Sequence, residues 1–304
     1  MQISSQESPY FSIIIPSYNR AKFLLDAIAG VLSQDFTNFE LLVIDDGSVD
    51  DTKEVVLGMQ LTDNRLHYYY QQNSERAIAR NRGAELAKGK FLIFLDSDDR
   101  FASPNYLTTL YSYIQKEHEA IGLYFCGAYI DYGDRKEMTK SIPTSSLTNF
   151  DFFILESVIP ARVCLSKEIM NHYQFDPDCI VVEDTVLWTA IMQDYPITYI
   201  PYYGVTYQIH EGNSVNISKQ NAYLLRLKGL KKLFRYYEVG KKIPDVTKKS
   251  QINRCYLGIA SYYFHRGLTM SYILWILISI VRYPNLDTKH KLKLLLPFKR
   301  VVNK

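Results

Sequence analysis

Residues 91–100 read FLIFLDSDDR: five apolar residues run straight into Asp96, Ser97, Asp98 and Asp99. A continuous apolar run of this length suits a strand of a parallel sheet, covered on both faces, whose carboxyl end opens onto a ligand crevice. Three carboxylates packed so closely repel one another and raise each other's pKa, which points to a cation that neutralises them. Hard oxygen ligands with open positions suit Mg2+ or Mn2+ bridged to a phosphate-bearing substrate. The same four residues also suit a solvated turn that caps the next helix.

Upstream, the chain repeats one pattern. Residues 11–15 (FSIII) form a short buried strand that Pro16 should stop, and Ser17, Tyr18, Asn19 and Arg20 turn into a helix over 21–33. Residues 39–44 (FELLVI) form the next strand, ending in Asp45, Asp46, Gly47 and Ser48, with a helix from Asp50 to about Leu57. A third strand over 65–70 and a third helix over 76–88 lead through Gly89 into the acidic-tipped strand. This alternation predicts an α/β fold, a doubly wound and mostly parallel sheet of Rossmann-like type. The polar ends of the first, second and fourth strands then gather at one edge, the candidate nucleotide site. Neither a GxGxxG fingerprint nor a Walker loop is present, so a diphosphate there must be neutralised in another way.

Downstream, 104–116 reads as a helix and 121–130 as a strand, whereas 149–180 is mixed. Glu183 and Asp184 precede a helix over 185–192, where an acidic residue is often only an N-cap. Residues 198–209 are strand-like, and His210 follows.

Four segments in this order, PSYNR (16–20), VIDDGSVDDT (43–52), ARNRGAELAKGKFLIFLDSDD (79–99) and VEDTVLW (182–188), resemble the family 2 glycosyltransferases of the GT-A fold. The resemblance runs from residue 11 to about 215. It implies an inverting transfer of a sugar from a nucleotide diphosphate donor, a UDP-sugar by family habit, to a glycan or lipid-linked acceptor in cell-surface polysaccharide synthesis. By that resemblance Pro16, Tyr18, Asn19, Arg20, Asp45, Asp46, Arg80 and Asp96 bind the donor nucleotide, with Tyr18 stacked on the base and Asp46 accepting from a ring N–H. Asp96 and Asp98 form the DXD motif, and Asp98, with Asp96, Asp99 and His210, holds Mn2+ or Mg2+. Asp184 is the implied general base, with Glu183 orienting it or taking its place. Arg82 is a further candidate for phosphate, and Asn213 and Ser214 suit a loop closing over the donor.

Overall charge is divided. The net +3 combines −12 over residues 1–220 (17 basic, 29 acidic) with +15 over 221–304 (18 basic, 3 acidic). Such asymmetry points to a basic surface addressed to an anionic partner. Nucleic acid fits poorly, because the first 220 residues would face it with a strongly acidic surface. Residues 268–281 (LTMSYILWILISIV) carry no charge but fall short of the roughly 20 needed to cross a bilayer. Flanked by lysines and arginines, with Trp275, they predict a helix lying in an anionic leaflet, the alternative being a helix packed on the catalytic domain.

Cys126, Cys164, Cys179 and Cys255 lie far apart without a zinc or disulfide spacing, which predicts free thiols in a reducing compartment. With no signal-peptide pattern at the start, the expected location is cytoplasmic, peripheral on the inner face of the cell membrane. The expected domains are a catalytic one over 1–217, with a nucleotide-binding half (1–100) and an acceptor half (101–217), and a basic helical region over 218–304. Two other readings compete: a nucleotidyltransferase, which needs a phosphate loop that PSYNR does not supply, and a non-catalytic sugar-nucleotide or glycan-binding module.

Overall fold

Strands β1 (Phe11–Ser17), β2 (Phe39–Asp45), β3 (Leu66–Tyr70) and β4 (Phe91–Phe94) lie parallel in the order β3-β2-β1-β4. Helices α1 (Ala21–Leu32), α2 (Thr52–Gln60) and α3 (Arg76–Leu86) connect them. The structure is a computed structural model that describes residues 8–156, 158–210 and 219–286.

Alternate residues of each strand enter different cores. Phe11, Ile13 and Ile15 of β1 pack in one cluster with Leu24, Ala27, Ile28 and Val31 of α1. Ile14 enters the other, with Ala77, Ala79 and Ala84 of α3. Both faces are therefore covered, which is why the strands read as unbroken apolar runs rather than alternating ones. Gly83 lets α3 come close to β1: a Cβ there would meet Ile14 Cγ2 at 2.4 Å.

Pro16 does not stop β1. The strand runs through it to Ser17, opposite Ile44 and Asp45 of β2. Ser17 O accepts from Asp46 N on the β2 side, while Ile14 O accepts from Leu95 N on the β4 side. By alternation, the absent N–H of Pro16 falls on the β4 side, where paired positions end at Ile14. The ladder to β4 ends where residue 16 would next have donated, while the ladder to β2 runs on past Pro16.

Beyond β4 the chain adds β5 (Arg100–Phe101), α4 (Tyr106–Lys116), β6 (Leu123–Asp131), β7 (Lys136–Met138), α5 (Phe152–Leu155), β8 (Val163–Ser166), α6 (Glu183–Ile191) and β9 (Ile197–Gln208). The sheet continues β4-β8-β6-β9-β5, with β7 on β6. β8 is antiparallel to β4 and β6, β9 is parallel to β6, and β5 is antiparallel to β9. The purely parallel pattern thus holds for the first half, and the second half is mixed. The region 149–180, mixed in sequence, contributes α5 and β8.

The chain divides into two compact units: one through Pro177 with Leu187–His210, the other Asp178–Val186 with the chain from Glu211 onward. Residues 178–186, expected inside the catalytic domain, therefore count with the C-terminal helices. Within that second unit Lys232 pairs with Asp178 at 2.8 Å, and Gly229 leaves room for Val182. The helices are α7 (Lys219–Tyr236), α8 (Glu238–Lys242), α9 (Asp245–His265) and α10 (Thr269–Arg282), with α9 packed against α7 and α10. Among the described residues, no helix is long and apolar enough to cross a membrane. Asn213, Ser214 and the Lys/Leu-rich end of the chain lie outside the described residues.

Candidate active site

At the carboxyl ends of β1 and β2, two turns are laced together. Asn19 N donates to Ser48 Oγ at 2.9 Å, Val49 N donates to Asn19 Oδ1 at 2.8 Å, and Ala21 N donates to Asp50 Oδ2 at 3.1 Å. Asn19 takes φ 53°, a left-handed conformation that asparagine tolerates in turns. Tyr18 stands at this edge 49% exposed, an aromatic face left open to solvent.

Asp45 and Asp46 are buried at the end of β2. Asp45 accepts from Ser48 N at 2.8 Å and from the Tyr68 hydroxyl at 2.6 Å. Asp46 Oδ1 accepts from Gln71 Nε2 (2.6 Å) and Ser74 N (2.9 Å), and its Oδ2 accepts from Glu75 N (3.0 Å). Asn73 Nδ2 adds a bond to Asp46 O at 2.9 Å. Between them Gly47 has φ 84°, and a Cβ there would meet Asn73 N at 2.7 Å. Both carboxylates are thus engaged by the chain, and Asp46 ties the 71–75 segment to the strand end. No spacing in the sequence signals this, because the donors, the Ser74 and Glu75 N–H groups and the Gln71 and Asn73 amides, are brought round after β3.

The end of β4 is arranged differently. Asp96 pairs with Arg80, a buried guanidinium from α3, at 2.6 Å. Arg80 also lies over the Phe175 ring, 5.3 Å from its centroid. Arg82, its neighbour on α3, instead donates to Tyr70 O at 2.9 Å and so attaches to β3. Asp98 Oδ2 lies 3.0 Å from His210 Nε2. Burial and the Asp96 charge push the Asp98 carboxyl above the ordinary carboxylate range, with His210 and Arg20 opposing the rise. Asp99 is wholly buried: one oxygen accepts from Gln208 N at 3.2 Å, and Oδ2 has no hydrogen-bond partner among the described residues. Burial, then Asp96 and Asp98, push Asp99 up well beyond the ordinary range. On β9 Tyr207 feels the same carboxylates, and its phenol is pushed up to about 12, mainly by burial.

His210 is held by an aromatic ring from α1. Phe23 stacks on its imidazole at 4.5 Å between centroids and 21° between planes, and Arg20 sits over the same Phe23 ring at 5.5 Å. Periodicity could not reveal this, since Phe23 and His210 are almost the whole catalytic unit apart in sequence.

Among the described residues no three His, Cys, Asp or Glu side chains gather as ligands of one ion. Asp98 and His210 make a pair, Asp96 is held by Arg80, and Asp99 turns toward β9. One oxygen and one nitrogen ligand suit a divalent ion that takes its remaining ligands from diphosphate and water. The raised Asp98 carboxyl and the unpartnered Asp99 oxygen fit a site completed by positive charge.

Glu183 and Asp184 form the first turn of α6 and count with the second unit. Glu183 is buried, Asp184 is half-buried and accepts from Thr185 N at 2.6 Å, and Val181 just before them has φ 76°. From Leu187 onward α6 belongs to the first unit, where Trp188 donates to Val158 O at 3.0 Å.

The family model of glycosyl transferase family 2 matches residues 12–173, which span β1 to β4 and both acidic turns. The chain belongs to glycosyl transferase family 2. Two curated relatives are informative. The GalNAc(5)-diNAcBac-PP-undecaprenol beta-1,3-glucosyltransferase of Campylobacter jejuni is 30% identical over 84% of this chain and 81% of its own length. Glycosyltransferase GlyG of Streptococcus pneumoniae is 29% identical over 56% of this chain, and the match spans only 52% of that relative. Among solved structures, Staphylococcus aureus TarS 1-349 in complex with UDP-GlcNAc aligns with TM-score 0.61 at 19% identity, covering 90% of this chain and 81% of that one. The mannosyltransferase PcManGT of Pyrobaculum calidifontis in complex with GDP-Man and Mn2+ aligns with TM-score 0.60 at 15% identity, covering 98% and 82%. These two share the GT-A fold with this family member.

Proposed function

We propose that this family 2 protein transfers a sugar from a nucleotide diphosphate donor, a UDP-sugar, to a lipid-linked glycan with inversion at the anomeric carbon. The observation that carries the reading is the Asp98–His210 pair at the carboxyl edge of a parallel sheet, with Arg80 and Arg20 close by. Tyr18 offers its open face to the base. Asp46 Oδ2 accepts one bond from the chain and keeps an acceptor position for a ring N–H. Asp96, oriented by Arg80, is suited to the ribose hydroxyls. A divalent ion, Mn2+ or Mg2+, held by Asp98 and His210, would offset the charge of the departing nucleoside diphosphate. Asp184 removes the proton from the acceptor hydroxyl, and Glu183, buried beside it, orients the first turn of α6. The acceptor class follows the undecaprenol diphosphate named for the Campylobacter jejuni relative. A lipid-linked acceptor places the reaction at a membrane surface, and the +15 charge of residues 221–304 suits its anionic lipids.

Calorimetric titration of UDP and GDP, each with and without Mn2+, tests the donor site. The expected result is UDP binding that tightens at least tenfold with Mn2+; failure of both nucleotides with metal present overturns the reading. Asp184→Asn is expected to keep that affinity while transfer falls by on the order of a thousandfold, and retained transfer would remove Asp184 as the base.

A further inference from the structure

α10 has two apolar faces, and among the described residues only one is packed. Tyr272 and Ile276 are buried against Leu257 and Ala260 of α9, and Ser279 Oγ bonds Asn253 Oδ1 at 2.6 Å. On the other side Met270, Leu274, Leu277 and Val281 are 80%, 56%, 51% and 78% exposed. Their spacing of four, three and four residues aligns them in one stripe along the helix. A helix packed on a protein by one face normally presents polar residues on the other. Large exposed apolar rows of this kind mark a surface that is covered in use.

The stripe's surroundings decide what covers it. Arg266 and Arg282, both exposed, bracket α10, and between Asp245 and Asp287 the sequence holds five lysines and arginines and no acidic residue. A second copy docking this face on itself would bring arginines against arginines with no carboxylate on α9 beyond its first residue, or on α10, to pair them. An anionic leaflet supplies acyl chains for the stripe and phosphates for its ends. The helix has 14 residues, about 21 Å at 1.5 Å per residue, so it lies along the surface.

We propose that the Met270–Leu274–Leu277–Val281 face of α10 inserts into the acyl boundary of an anionic membrane, with Arg266 and Arg282 at the level of the lipid phosphates. This rests on the lipid-linked acceptor reading only for its purpose, since the face itself is defined by exposure and charge. Of the expected helix lying in an anionic leaflet it keeps one face, because the other is packed on α9.

The test is sedimentation of the full chain with phosphatidylcholine vesicles, with and without phosphatidylglycerol. The full chain is expected to sediment with the anionic vesicles and to be released by salt. The double variant Leu274→Gln and Leu277→Gln should lose partition by about tenfold or more while circular dichroism and UDP titration stay unchanged. Leu274→Trp should bind at least as well as the wild type, with indole emission quenched by acyl-brominated lipid. Wild-type partition of the glutamine variant overturns the proposal, as does an unquenched tryptophan. A glutamine variant that changes only oligomeric mass in light scattering also overturns it and assigns the stripe to a second copy. Insertion without UDP or GDP binding supports this surface and counts against the enzyme reading.

Discussion

Two acidic turns end the two parallel strands that flank β1, Asp45-Asp46 at the end of β2 and Asp96 to Asp99 after β4, and in sequence they look alike. In the first, the chain itself supplies the donors: Ser48 N, the Tyr68 hydroxyl, Gln71 Nε2, Ser74 N and Glu75 N all point at the two carboxylates. In the second, Arg80 neutralises Asp96, His210 meets Asp98, and Asp99 is left with a buried oxygen to which no described residue donates. Carboxylates that accept several N–H bonds hold structure together, whereas crowded, desolvated ones are destabilised until a cation arrives. Acidic residues therefore acquire a role from the count of donors around them, which local sequence does not report.

Removing one charge from each turn should separate them most sharply. Asp98→Asn is expected to reduce transfer by on the order of a thousandfold while the melting temperature rises, because a like charge is removed from a desolvated cluster. Equal loss of activity and stability on melting would erase the distinction between the turns. Asp46→Asn should instead lose about 1–3 kcal/mol of stability in urea denaturation, as an amide N–H replaces an oxygen that backbone donors face, and weaken UDP binding with it. Tyr18→Ala, at the rim of the first turn, should weaken UDP about fivefold in calorimetry with stability unchanged. The smallest effect concerns pH. Asp99 holds its proton in the folded state to a pH well above the ordinary carboxylate value, so its contribution favours folding below that ordinary range and is lost as pH rises through the interval up to the raised one. Asp99→Asn should remove that part of the slope, read as the difference in urea midpoint between the two proteins across the acidic range.

The parallel half of the fold was legible because strands buried on both faces leave continuous apolar runs, and the helices between them carry 3.6-residue periodicity. The end of β1 at Ser17 is not legible from Pro16, since a missing N–H ends only the ladder on its own side, and pairing sides are not visible in one strand. The mixed half was harder to read. β5 and β8 are two and four residues long, and their antiparallel partners come from distant segments. In the site, the Asp98 turn was legible as a motif, but the Phe23 ring behind His210 was not, because long-range stacking has no spacing. The uncharged run near the end was legible as apolar, while its division into a face for α9 and a face for solvent needed the partner helix.

All four cysteines are buried, and burial raises the thiols of Cys126, Cys164 and Cys255, the last to about 11. At neutral pH none of these three is an available thiolate, and Cys179 is buried as well. Toward maleimides and iodoacetamide the native protein should then behave as though it carried no thiol. A cysteine introduced at Leu274 would be a single reactive handle, ready for a spin label or fluorophore without first removing the natural ones.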